Sequence, residues 1–110
     1  MIVITGASSG LGAQLAKLYD AQGKETLLIG RSEKKLDTLA QHLSNKAQTR
    51  SCDLIDAYQV ERLFDELPQT PSTLIHCAGS GYFGLLAEQD PQEIKKLIEN
   101  NLTSAIHVLR

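Results

Sequence analysis

Three glycines within seven residues, Gly6, Gly10 and Gly12, hold the most specific chemistry in this sequence. They follow an apolar run, Met1 to Ile4, and Thr5, and they precede a helical pattern. A buried strand that ends in a glycine-rich turn and opens a helix can hold phosphate. Glycine at position 6 suits a tight bend, Gly10 leaves room for phosphate oxygens to reach backbone N–H groups, and Gly12 lets the helix pack close. The helix beginning near Leu11 would point its unsatisfied N–H groups and positive dipole end at the anion. Ser8, Ser9 and Leu11 lie inside the same turn. The competing reading is a glycine turn that only joins strand to helix.

The spacing is GxxxGxG, and three glycines alone would be weak evidence. With Thr5 in front, T-G-A-S-S-G-L-G resembles the TGxxxGxG signature of the short-chain dehydrogenase/reductase superfamily. The resemblance covers all 110 residues. It implies the first four βα units of a Rossmann-type doubly wound parallel sheet, with strand order 3-2-1-4. It also implies a nicotinamide dinucleotide cofactor and hydride transfer to or from a small carbonyl or alcohol substrate.

The elements that must position this turn follow in order. Leu11, Leu15, Leu18 and Tyr19 recur at helical spacing, and Gly23 stops that helix. Glu25 to Ile29 reads as a buried parallel strand. Ser32 is a candidate N-cap for a helix over Glu33 to Ser44, with Leu36, Leu39, Ala40 and Leu43 on its apolar face. After a loop from Asn45 to Gln48, Thr49 to Cys52 gives a weakly apolar strand suited to a sheet edge. Asp56 and Gln59 make a capping-box-like start to a helix carrying Val60, Leu63, Phe64 and Leu67, ended by Pro68. Thr73 to Cys77 is a fourth strand. Asp90, Pro91 and Glu93 then start a long helix running to Arg110, whose expected apolar stripe is Ile94, Leu97, Ile98, Leu102, Ala105 and Leu109.

Dinucleotide folds commonly place a carboxylate at the tip of the second strand to accept hydrogen bonds from the ribose of NAD. Here Arg31 and Ser32 stand at that tip, with Lys34 and Lys35 one helical turn on. A guanidinium can clamp a 2′-phosphate through paired charge-assisted bonds, so NADP is favoured over NAD. The alternative is a solvated basic helix start, whose field Glu33 weakens. The resemblance further implies that Asp53 binds the adenine amino group and that Leu54 lies against the ring, although Asp53 could equally satisfy its own backbone turn. His76-Cys77-Ala78-Gly79 resembles the family's NNAG segment, with His76 and Cys77 where asparagines are usual. Cys77, Ala78 and Gly79 would pass under the cofactor, while His76 reads as a strand residue. By the same resemblance Asn101 completes the catalytic group, its carbonyl holding a water that relays protons. Gly81 and Gly84 around Tyr82 and Phe83 fit a substrate pocket or an anchored loop equally well.

The family's reaction also needs a serine and a tyrosine followed four residues later by lysine. Tyr19, Tyr58 and Tyr82 are instead followed at that distance by Gly23, Arg62 and Leu86. The expectation is therefore the amino-terminal, cofactor-binding half of a longer enzyme. A non-catalytic nucleotide-binding module and an inactive truncated fragment are the alternatives. Composition fits a single globular unit over residues 1–110, with 42% hydrophobic and 22% charged residues and a net charge of −2. Nothing in it suggests nucleic acid or a membrane span. Without a signal-peptide pattern a cytoplasmic location is expected, with Cys52 and Cys77 on well-separated strands as free thiols. Family members often pair through their fourth and fifth crossover helices, so the stripe from Ile94 to Leu109 could serve a homo-oligomer, but it must first cover the sheet, and the oligomeric state stays open.

Overall fold

The structure, a computed structural model, describes residues 1–44, 46–80 and 85–109. Asn45, the Gly81 to Gly84 segment with its two aromatics, and Arg110 lie outside the described residues. Four strands, β1 (Ile2–Thr5), β2 (Thr26–Gly30), β3 (Ala47–Ser51) and β4 (Thr73–His76), form one parallel sheet in the order β3-β2-β1-β4. Between them run α1 (Gly10–Ala21), α2 (Glu33–Ala40) and α3 (Ala57–Asp65). After β4 come a single 3-10 turn (Leu86–Glu88), α4 (Pro91–Ile98), a π-helical segment (Glu99–Thr103) and α5 (Ser104–Leu109).

Strand alternation explains the two cores. Ile2, Ile4 and Leu28 face one side of the sheet, where Ala16 of α1 and Leu36 and Leu39 of α2 cover them. Val3, Leu27 and Ile29 face the other side, against Val60 and Leu63 of α3 and Val108 of α5. β1 and β2 are buried along their whole length, as central parallel strands must be. β3 carries polar residues and lies at an edge, as its sequence suggested. Cys52 and Cys77 lie just beyond β3 and β4, at opposite edges of the sheet, and both are free.

Several boundaries differ from those read in the sequence. Thr26–Gly30, Ala47–Ser51 and Thr73–His76 are set by the ladders they make with their neighbours, each shifted or shortened by a residue or two. α2 ends at Ala40, four residues early, because the Asp20 carboxylate of α1 accepts hydrogen bonds from the Ser44 N–H (3.0 Å) and hydroxyl and draws the chain off the helical path. α1 buries Gly12 and Ala16, with Leu15 and Tyr19 partly covered, while Leu11 and Leu18 face solvent. Its contact face is built of small residues because the helix starts hard against the preceding turn.

The last helix departs furthest from the expected course. The expected stripe does not cover the sheet: Ile98, Leu102 and Leu109 are 51%, 59% and 64% exposed. Ser104 and Val108 are buried instead. The π turn, in which the Ser104 N–H bonds to the Glu99 carbonyl, inserts one extra residue. One residue is about 100° of rotation, enough to carry the following helix from one face to the next.

Candidate functional site

A cavity of about 460 Å³ opens where the chain leaves the carboxyl ends of the strands. The turn after β1 forms one wall with Gly6, Ser8, Ser9, Gly10 and Leu11. Gly30, Arg31, Ser32 and Lys35 form another, from β2 into α2. Cys52 to Ile55 follow β3, Cys77 to Gly79 follow β4, and Asn100 and Ser104 reach in from the π segment and α5. The crevice at the carboxyl edge of an open parallel sheet is where ligands of such sheets bind, and its volume is that of a small-molecule site.

The glycines of the turn have different duties. Gly6 has φ +64°, and a Cβ there would stand 2.6 Å from the Ala78 nitrogen and the Cys77 carbonyl carbon. It therefore permits both the bend and the approach of β1 to the chain after β4. Gly10 has φ +56° but open space around its Cβ position, which leaves this point of the turn uncovered toward the cleft. Gly12 is absent from the cavity wall. A Cβ there would lie 2.2 Å from the Gly6 oxygen, so Gly12 seats α1 against the turn rather than against a strand.

The start of α1 is left bare. Ser9, its N-cap residue, makes no side-chain capping bond among the described residues, and no acid lies in the first turn. Its N–H groups and dipole point at the cleft without an internal anion to satisfy them. Across the cleft the Arg31 guanidinium has no hydrogen-bond or ion-pair partner among the described residues, and it is exposed. Ser32 does cap α2, its Oγ accepting from the Lys35 N–H at 3.2 Å, so the residue serves the helix while its surface faces the cavity.

Asp53 serves its own turn as well. Its Oδ1 accepts from the Ile55 N–H at 3.1 Å, the local arrangement that its sequence also allowed. It nevertheless lines the cavity, beside a Leu54 that is buried in the core. The start of α3 is only half a capping box: Asp56 accepts from the Tyr58 and Gln59 N–H groups, but Gln59 reaches past it to accept from the Asp53 N–H at 3.1 Å. Burial, then the nearby Asp53 and Asp56 carboxylates, push the Cys52 thiol above its ordinary range. That favours the protonated form, a packing group and not a nucleophile.

Asn101 stands outside the cavity wall. Its side chain donates to the Ser80 carbonyl (2.9 Å) and to the Leu97 carbonyl (2.8 Å), and accepts from the Ser80 N–H (3.1 Å). It thereby clamps the chain leaving β4 onto the last helix. A Cβ at Gly79 would lie 2.5 Å from its Oδ1, so this glycine answers the clamp. Asn100 lines the cavity and donates to the Ser80 hydroxyl at 3.1 Å. Ser104 joins it, its hydroxyl bonded to the Asn100 carbonyl. No sequence signal marked Ser104, because a regular helix would have turned it elsewhere. Among the described residues no cluster of three metal-ligating side chains occurs, and no helix is long and apolar enough to cross a membrane.

The sequence matches the family model of short chain dehydrogenases over residues 1–110. The chain belongs to that family. Among solved structures, a short-chain dehydrogenase/reductase from Vibrio parahaemolyticus is 64% identical and superposes with a TM-score of 0.96; the match covers 100% of this chain and 50% of that one. A PIGF/3-ketodihydrosphingosine reductase fusion protein of Schizosaccharomyces pombe is 30% identical over 97% of this chain and 23% of its own length. A dehydrogenase/reductase SDR family member 7B of Bos taurus is 32% identical over 92% of this chain and 35% of its own. The chain thus spans half or less of the length of these short chain dehydrogenase relatives. The strand order and the glycine turn expected from the sequence agree with the family.

Proposed function

We propose that residues 1–110 supply the cofactor-binding half of an NADP-dependent oxidoreductase that moves a hydride between nicotinamide and a small carbonyl or alcohol. The observation that carries this reading is the bare N-terminus of α1 behind a glycine turn, set across one cleft from an exposed Arg31 that has no partner among the described residues. The cradle fits a diphosphate: the turn offers backbone N–H groups, an open Gly10 and no competing carboxylate. When bound, the nicotinamide supplies or takes the hydride.

The chain's own residues would bind and orient. Gly6, Ser8, Ser9, Gly10 and Leu11 would hold the diphosphate, with Gly12 fixing the helix behind them. Arg31 and Ser32 would hold the 2′-phosphate, with Lys35 adding charge from the same wall. Asp53 keeps a second carboxylate oxygen for the adenine amino group, and Leu54 would lie beneath the ring. Cys77, Ala78 and Gly79 would let the chain pass close to the cofactor. Asn101 would hold a proton-relaying water at its carbonyl, in a π segment where backbone hydrogen bonding departs from the regular helical ladder. A cytoplasmic setting agrees with two unpaired cysteines.

A second reading is a nucleotide-binding module without catalysis, which would use the same cleft. Fluorescence titration with NADPH and NADH tests the binding shared by both. We expect tighter binding of NADPH, and loss of that preference by about tenfold or more in Arg31→Asp. Unchanged NADPH affinity in that variant would remove the phosphate clamp, and no binding by the folded chain would remove both readings. Activity of the full-length protein with carbonyl substrates separates enzyme from module.

A further inference from the structure

The two walls of the cleft that meet at Gly6 and Ala78 are joined by one hydroxyl. Thr5 is fully buried at the end of β1, and its Oγ1 has three neighbours: the His76 Nδ1 at 2.7 Å, the Cys77 N–H at 3.2 Å and the Ala78 N–H at 3.4 Å. The Cys77 N–H also donates to the Thr5 carbonyl at 3.2 Å, continuing the β1–β4 ladder. Both backbone N–H groups can only donate, so they occupy the two lone pairs of the hydroxyl. The hydroxyl proton then has a single place to go, the lone pair of His76 Nδ1. If Nδ1 carried a proton instead, three donors would crowd Oγ1 and the buried Thr5 proton would have no acceptor.

We propose that His76 is a positioning residue for the nucleotide site: as the acceptor of the Thr5 hydroxyl, it fixes that hydroxyl to receive the Cys77 and Ala78 amides and so sets the approach of the two cleft walls. This rests on the nucleotide-binding reading above. The contact it governs is tight, since Gly6 has no room for even a Cβ against Cys77 and Ala78. It gives a role to the residue at which the sequence departs from the resembled NNAG segment, since the ring nitrogen is within hydrogen-bond distance of Thr5 Oγ1. The cost is visible on the far side of the ring. The tautomer so fixed carries its proton on Nε2, which is buried and has no hydrogen-bond partner among the described residues. Burial alone lowers the ring's affinity for a second proton, which keeps Nδ1 available as an acceptor.

Nitrogen-15 NMR of the histidine rings and amide hydrogen exchange of the whole chain test this without nucleotide. The expected spectrum shows His76 protonated at Nε2 and bare at Nδ1; a proton on Nδ1 would overturn the proposal. In His76→Leu the Cys77 and Ala78 amides should exchange about tenfold faster or more, and NADPH should bind about tenfold more weakly. In His76→Asn, whose Oδ1 can accept from Thr5, both should return to within about threefold of the parent chain. Equal protection in the leucine variant, or no rescue by asparagine, refutes the role. If the leucine variant does not fold, the tautomer and the asparagine variant still decide. A folded parent chain that protects both amides but ignores NADPH would refute the cofactor reading while keeping the Thr5–His76 clasp.

Discussion

Helices α2, α3 and α4 each begin with a side chain that closes their first turn: Ser32 accepts from Lys35, Asp56 from Tyr58 and Gln59, and Asp90 from Gln92. Helix α1 begins with Ser9 and closes nothing. Each capped start spends a side-chain oxygen on its own first turn, and Ser32 does so while its surface still faces the cleft beside Arg31. The bare start faces the 460 Å³ cleft and leaves its N–H groups for something else. A helix end left unsatisfied costs stability, so the contrast separates a part built to hold itself from a part built to hold a ligand.

The largest effects are expected at the glycines of the turn. Gly12→Ala would drive a Cβ into the Gly6 carbonyl, and we expect a loss of about 3 kcal/mol or more in urea unfolding, or no folded chain. Gly10→Ala meets open space and carries only the strain of a positive φ, about 1–2 kcal/mol, so it should weaken NADPH binding while the fold survives. Equal stability losses in the two variants would show that the turn's glycines share one duty.

A sharper break gives α1 the anion it lacks. Leu11 is exposed, and Leu11→Glu would place a carboxylate in the bare first turn. Stability should hold or rise by about 0.3–1 kcal/mol, whereas NADPH affinity should fall about tenfold or more. Opposite signs for melting and binding are the signature of a start reserved for a ligand. The converse change, Asp56→Ala at α3, should cost about 1 kcal/mol in thermal or urea unfolding and leave NADPH binding within about twofold. If that variant lost binding as well, the capped and bare starts would not be independent.

The smallest effect is read by pH. Burial holds His76 below its ordinary value near 6.5, so the fold favours the neutral ring. Its contribution is complete above that ordinary value and is lost as pH falls through the lower, folded one. Melting temperature should therefore fall less steeply below pH 6.5 in His76→Asn than in the parent chain. Glu66, held below the usual carboxylate range by hydrogen bonds from Arg50 and Arg62, adds an acid-labile contribution of its own, but that is common to both proteins.

How much could be read in advance follows the range of the interactions. The glycine turn, the buried runs of β1 and β2 and the caps at Ser32, Asp56 and Asp90 are local, written within a few residues, and the parallel order follows from them and the family's pattern. The cleft residues from Gly6 to Gly79 were named because they stand at strand ends, where such sheets gather their ligands. The end of α2 was misplaced because Asp20, 24 residues away, takes Ser44 from the helix.

The last helix shows the limit most clearly. Its start at Asp90 and Pro91 was plain from residue types, and its apolar residues do recur at helical spacing. One extra residue in the π turn, beside an Asn101 tied to Ser80 across 21 positions, turns Ser104 and Val108 inward and leaves Leu109 outside. The sequence by itself determined where the chain bends, caps and pairs, because those choices are made by φ, by short side chains and by alternation. Only the tertiary structure decided the rotation of that helix and the proton on His76, since both depend on partners that the chain meets after the sheet has formed.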